Sequence, residues 1–329
     1  MKYDPDLRLH SLSRKALEPA LAPNIQILGG VSIDSDQNEL VGNQENAAPI
    51  IVFVHGAGFA TQAHLRDPFK TVYSNPAQHS SKFWSRKSWY TRFTDPSKYP
   101  LSTILGYSWQ ARSYHPIRAQ SVNALARRSV QGAANFGQFM VKLRKCAQGH
   151  PIHVVAHGLG VKLVLRAIEK APDIRINRLV MLEAQALITD ALIAMNSKAG
   201  RHTNFYNVTD KAFGHLRYLD QRLFKAGPMD HILGLGFPFH RHRWIELPLT
   251  DIVGIANILE QPIKRSAFSN PKVFPMHGYG DQLIRHILCG AKDTDILDLR
   301  AKLNERIRPY KRRKHHLPLW LNPLLHFSI

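Results

Sequence analysis

Two cysteines in 329 residues, Cys146 and Cys289, cannot supply a disulfide framework. No apolar run approaches the roughly 18 residues needed to cross a bilayer. The opening stretch, Met1 to Arg8, lacks the apolar centre of a secretory signal. These shortages lead to the expectation of a cytoplasmic protein in reducing surroundings. No Cys/His cluster has the spacing of a structural zinc site, and no Gly-rich phosphate loop follows a strand. Gly56-x-Gly58 alone is not a dinucleotide fingerprint, so neither metal nor cofactor is expected. Acids are the remaining scarcity: 24 Asp and Glu stand against 44 Lys and Arg, a formal charge of +20. That balance favours anionic partners or serves solubility; it says nothing about fold.

What the sequence does have is a succession of short apolar runs. Asn24–Leu28, Pro49–Gly58, Ser102–Arg112, Ile152–Ala156, Ile176–Ala184 and His202–Asp210 read as strands, with a short further one at Val31–Ile33. Trp244–Leu249 is the last, and Pro248 demotes it to a sheet edge. Ser121–Cys146 carries apolar residues at helical spacing, including Leu125, Ala133, Phe136, Met140 and Leu143. A second helix begins near Val161, Gln185–Ser197 reads as a loop or short helix, and Gln282–Leu288 as a terminal helix. Strand–helix alternation with short turns predicts an α/β fold: a doubly wound, mostly parallel sheet with helices on both faces. The expected organisation is a polar lead over 1–48, the domain over 49–290, and a basic, apolar arm over 291–329.

One stretch organises the rest. Between the strand ending at Ala156 and the helix starting near Val161 lies only His157-Gly158-Leu159-Gly160, so the chain must turn sharply. This resembles the nucleophile elbow of α/β-hydrolases, Gly-x-Ser-x-Gly, with Ala156 in the first glycine position and Gly158 in place of serine. His55-Gly56-Ala57-Gly58, after an earlier strand, resembles the oxyanion-hole loop of the same superfamily. A strand ending in Ser108-Trp109, then a long helix, then the elbow, is similar to esterase/lipase-like bacterial α/β-hydrolases of poorly defined function.

The resemblance implies a site. Chain order nucleophile, acid, histidine puts Asp210 in the acid place, with Glu183 as the alternative, and His277 in the histidine place. His240 and His242 precede the last strand and fit worse. Ala57 and Leu159 would offer backbone donors to an oxyanion. His157 would shape the turn, and Ser108 is a stand-in nucleophile by residue type only. Asp210 and His277 also have plain readings, as a strand end or helix cap and as one of 18 histidines. Glycine cannot form an acyl intermediate. The expectation is therefore an esterase-like pseudoenzyme that binds a small acyl or ester ligand. The alternatives are a hydrolase using His/Asp-activated water, or a basic adaptor on this fold.

From Arg306 the sequence is basic, Lys311-Arg-Arg-Lys314, and then apolar through Leu317, Leu319, Trp320, Leu321, Leu324, Leu325 and Phe327. Such an arm suits an anionic membrane surface, giving peripheral attachment. Pro309, Pro318 and Pro323 argue against one long amphipathic helix. Folding over the protein's own surface fits the arm equally. Nucleic acid is disfavoured because no recognised binding fold accompanies the charge. Binding to anionic vesicles is expected to weaken with salt and to vanish on removal of residues 306–329. Co-sedimentation checks this, and equal binding by the shortened chain would relocate the contact.

Overall fold

The computed structural model describes residues 25–29, 48–57, 103–111, 119–147, 149–209, 231–237, 241–249, 251–260, 279–289 and 296–303, with short pieces at 59, 67–69, 72–73, 88–89 and 93. Within these, seven strands form one sheet: β1 (Ile25–Gly29), β2 (Ile50–Val54), β3 (Thr103–Tyr107), β4 (Ile152–His157), β5 (Arg178–Leu182), β6 (Asn204–Thr209) and β7 (Trp244–Pro248). Their order is β1-β3-β2-β4-β5-β6-β7. Every neighbouring pair from β3 to β7 is parallel, and β1 runs antiparallel to β3 along one edge. The fold is thus α/β with a mostly parallel sheet of the α/β-hydrolase type. As Pro248 required, β7 forms the other edge.

Strands covered on both faces should be apolar throughout. β2, β3 and β5 are buried at every position. Alternation sorts their side chains into two cores. Ile50, Val52 and Val54 join Val154 and Ala156 beneath the long helix α1 (Ala119–Cys146) and helix α2 (Leu159–Lys170). Ile51 and Phe53 face the opposite way, with Tyr73, Trp89, Phe93 and Val155. That second face is closed by α4 (Ile252–Leu259), α5 (Tyr279–Cys289) and Leu299 of α6 (Ile296–Lys302). Gln185–Ser197, readable as loop or helix, contains α3 (Ile188–Asn196). The proposed strand Val31–Ile33 and the arm beyond Leu303 lie outside the described residues.

Two polar devices lock this frame. On α2, Lys162 and Arg166 stand one turn apart and converge on Asp190 of α3. Their distances are 2.7 Å from Nζ to Oδ2 and 2.8 Å from Nη2 to Oδ1. The same carboxylate accepts the Leu187 backbone N–H at 3.0 Å, so it also secures the start of α3. At the strand ends, His55 is fully buried and its Nδ1–H donates to the Gly56 carbonyl. Its Nε2 accepts the Trp109 N–H at 3.2 Å, and the two rings stack 9° from parallel. Trp109 Nε1 donates back to the His55 carbonyl. This clamp joins the ends of β2 and β3.

Asp190→Ala should lower unfolding stability by about 3 kcal/mol, the low end for a broken buried pair. Lys162 and Arg166 keep side-chain exposures of 11% and 26%, so water relieves part of their loss. Urea unfolding checks the value.

The pH profile should show a maximum. Burial holds His55 down to about 4, against a raising bond to Gly56 and helped by His157. Burial and then Arg178 hold His153 down to about 3, against a raising backbone bond to Ile152. Both histidines favour the folded state above about pH 6.5, and that stability is lost as pH falls towards the folded values. Burial pushes Glu246 up to about 8, although Asn207, Trp244 and the Phe237 backbone oppose the shift. Its contribution runs the other way: present below the unfolded value of about 4.5 and lost as pH rises through 8. Each group contributes roughly 1 kcal/mol per pH unit inside its window. Below pH 6.5 these two histidines, joined by His286, which burial also lowers, outweigh one carboxyl; above it the loss comes from Glu246. Stability should therefore peak near pH 6.5 and decline on both sides. Chemical unfolding across pH 5–8.5 checks this. His153→Leu should flatten the acid limb, and Glu246→Gln the alkaline one.

Candidate functional site

β4 ends at His157 and α2 begins at Leu159, leaving Gly158 alone to reverse the chain. Its φ of 54° and ψ of −123° combine a positive φ with an extended-range ψ, which side chains at Cβ disfavour and glycine tolerates. The turn is held from three directions. The Gly158 N–H donates to the Leu182 carbonyl at 2.9 Å, while its own carbonyl accepts from Gln185 at 3.1 Å and Val161 at 3.2 Å. Gly160 completes it by close approach. A Cβ there would lie 2.5 Å from the His55 carbonyl oxygen and 3.0 Å from that of Val54. The first turn of α2 is thereby pressed onto the end of β2. That contact brings Leu159, buried, alongside the chain leading to Ala57, half-buried. Both segments expected to supply backbone donors thus reach the same end of the sheet.

At Gly158 itself there is room for a side-chain root. A Cβ built there would stand 3.6 Å from Gln185 Cδ and 3.7 Å from both Nε2 and Oε1, which is ordinary van der Waals contact. The near-equal distances put the Gln185 carboxamide face-on to that Cβ position. Two residues before Gln185, Glu183, one residue past β5, adopts φ 45°. For a residue other than glycine that conformation costs about 1–3 kcal/mol. His157 Nε2 lies 3.4 Å from Glu183 Oε2, both side chains half-buried at the strand ends. From the other side the Gly234 and Leu233 N–H groups donate to the carbonyls of Ala184 and Ala186. The loop carrying Gln185 is clamped at both flanks.

The sequence-derived candidates fare differently. Asp210 and His277 lie outside the described residues, as does His240; Asp210 directly follows Thr209, the last residue of β6. His242 is exposed in the turn leading into β7, at the opposite end of the parallel sheet from the elbow. Ser108 is buried, and its Oγ lies 3.3 Å from His55 Nε2. The resemblance to a nucleophile–base pair ends there. Burial keeps that imidazole a weak base, and Nδ1–H bonds a backbone carbonyl rather than an orienting acid. Ser108 therefore belongs to the His55–Trp109 clamp. Glu183 is paired with His157, whose Nδ1 side is filled by Gly56, where a Cβ would come within 2.5 Å. Both ring nitrogens face protein, so His157 shapes the turn.

Gln185 was not singled out by the sequence. The available signal was position: a polar residue in the loop following a parallel strand next to the elbow strand, where open α/β sheets place their ligands. Among the described residues, no group of His, Cys, Asp or Glu could hold a metal ion. No helix among them is long and apolar enough to cross a membrane.

No protein-family model matches the sequence, and no curated protein does. Solved structures give distant likenesses. The chain is similar to TT1662 from Thermus thermophilus over 79% of its own length and 90% of that chain, at 9% identity and a TM-score of 0.35. It is similar to a feruloyl esterase module from Clostridium thermocellum over 90% of its length and 97% of the module, at 10% identity and a TM-score of 0.32. A predicted CIB-like hydrolase from Thermoplasma acidophilum is matched over 65% of this chain and 78% of its own, at 12% identity and a TM-score of 0.28. At such scores these likenesses carry no argument; the fold is read from the strand order and the elbow.

Proposed function

We propose that this chain is an α/β-hydrolase-fold, esterase-like protein that holds a small acyl-bearing ligand at its elbow without forming an acyl intermediate. The supporting observation is Gly158: an elbow backbone, bent to φ 54° and ψ −123°, with no hydroxyl at its tip. In the serine mechanism a base removes the hydroxyl proton, the oxygen attacks the carbonyl, and backbone donors stabilise the resulting oxyanion. Here the attacking atom is missing while the turn that would present it persists. Binding can survive that loss; covalent turnover cannot. Activation of water by His277 and Asp210 is the competing reading, and ester turnover by the unaltered protein would favour it.

Restoration tests the proposal. The unaltered protein is expected not to react with serine-directed phosphonate probes. Gly158→Ser should be about 1–3 kcal/mol less stable, because serine must take up the positive-φ turn. It should nevertheless label with the probe and hydrolyse short activated esters, and Gly158→Ser with His277→Ala should lose both gains. A folded serine variant with neither activity would mean that the site has lost more than its nucleophile. Labelling of the unaltered protein that is abolished by Ser108→Ala would overturn the assignment of the elbow.

A further inference from the structure

Gln185 holds its carboxamide beside the elbow tip, 3.6 to 3.7 Å from where a Gly158 Cβ would lie. Its backbone N–H donates to the Gly158 carbonyl, so the residue is tied to the turn itself. Its flanks are fixed by Leu233 and Gly234, and the bend that aims it is the positive-φ Glu183, paired with His157. The carboxamide is half-buried and makes no hydrogen bond to another described residue. A donor and an acceptor are thus presented together, on a fixed loop, over a residue with no side chain. Covering such a group without partners would lose its hydrogen bonds to water, so a ligand seated here must satisfy it.

We infer that Gln185 is the recognition group of the elbow and that the ligand it selects is a carboxylic amide. The inference rests on the elbow being a ligand site, as proposed above. An amide complements both ends of the side chain: Nε2–H donates to the ligand carbonyl while Oε1 accepts the ligand N–H. An ester of the same shape has no donor and leaves Oε1 unmatched. A carboxylate meets Nε2 but sets its charge against Oε1. Sites built to bond a ligand N–H discriminate strongly against analogues that lack it. Glu183 and His157 act as positioning residues, holding the loop rather than touching the ligand.

Binding of benzamide, methyl benzoate and benzoate to the full chain, followed by two-dimensional ¹⁵N NMR, tests this. The amide signals of Gly158, Leu159 and Gly160 report occupancy of the elbow. Benzamide should bind about tenfold or more tightly than methyl benzoate, the scale of one hydrogen bond lost with its partner left unsatisfied. Gln185→Leu should abolish the preference while the spectrum stays dispersed. Gln185→Met, similar in length and without the amide, provides the same test should the leucine variant fold poorly. Glu183→Gln should weaken the preference without abolishing it. If the probes move the elbow signals with no preference for the amide, or with a preference that survives both Gln185 variants, the recognition role is overturned and the elbow site stands. If no probe moves those signals, the elbow-site reading itself falls, and the inference with it.

Discussion

Reversing the chain within one residue at Gly158 leaves its peptide groups at the junction of strand and helix, where each still needs a partner. The strand order supplies them. Because β5 lies beside β4, the Leu182 carbonyl stands ready for the Gly158 N–H, and the next residues curl back to reach the Gly158 carbonyl. Because β2 lies on β4's other side, its end receives the first turn of α2 through Gly160. The elbow is therefore not a local motif that happens to sit on a sheet. It requires the order β2-β4-β5, and this order brings Ala57, Leu159 and Gln185 to one rim.

The shortage of acids has a structural counterpart. Those described are largely committed to internal tasks: Asp190 joins α2 to α3, Asp251 caps α4 through the Gly254 N–H, and Glu183 pairs with His157. Glu246 is buried beneath the Trp244 indole and the Asn207 amide. On α1, which contains no Asp or Glu, Arg127, Arg128, Lys142 and Lys145 are all exposed. Among the described residues the basic charge on α1 thus lies at the surface, where it affects association and solubility.

The strands and the elbow were legible because both depend on local sequence: β-rich apolar runs, and small residues in a turn too short for anything larger. Pro248 marked its edge strand for the same local reason. Helices α4 and α6 escaped notice because each is short, only 8 and 7 residues, and too brief for periodicity to speak. Gln185 escaped for a different reason. Its place over Gly158 depends on a positive φ at Glu183, and a glutamate gives no sign of that conformation as glycine or asparagine would. Ser108, a nucleophile by residue type only, sits beside a histidine, yet its burial and the backbone-bonded Nδ1 of His55 make the pair structural.

Strain at this rim has an informative distribution. A nucleophile at the elbow tip would itself occupy the unfavourable backbone region; with glycine at 158 that penalty is relieved. The second unfavourable conformation, at Glu183, remains although asparagine or glycine would adopt it more readily. Neither, however, could offer His157 a carboxylate of the same reach. What the glutamate adds is a carboxylate oxygen 3.4 Å from His157 Nε2, beside the bend that precedes Gln185. The rim is thus relaxed at Gly158 and strained at Glu183, two residues before Gln185. On the proposed reading, that division suits a site that holds a ligand, with the elbow backbone as its floor.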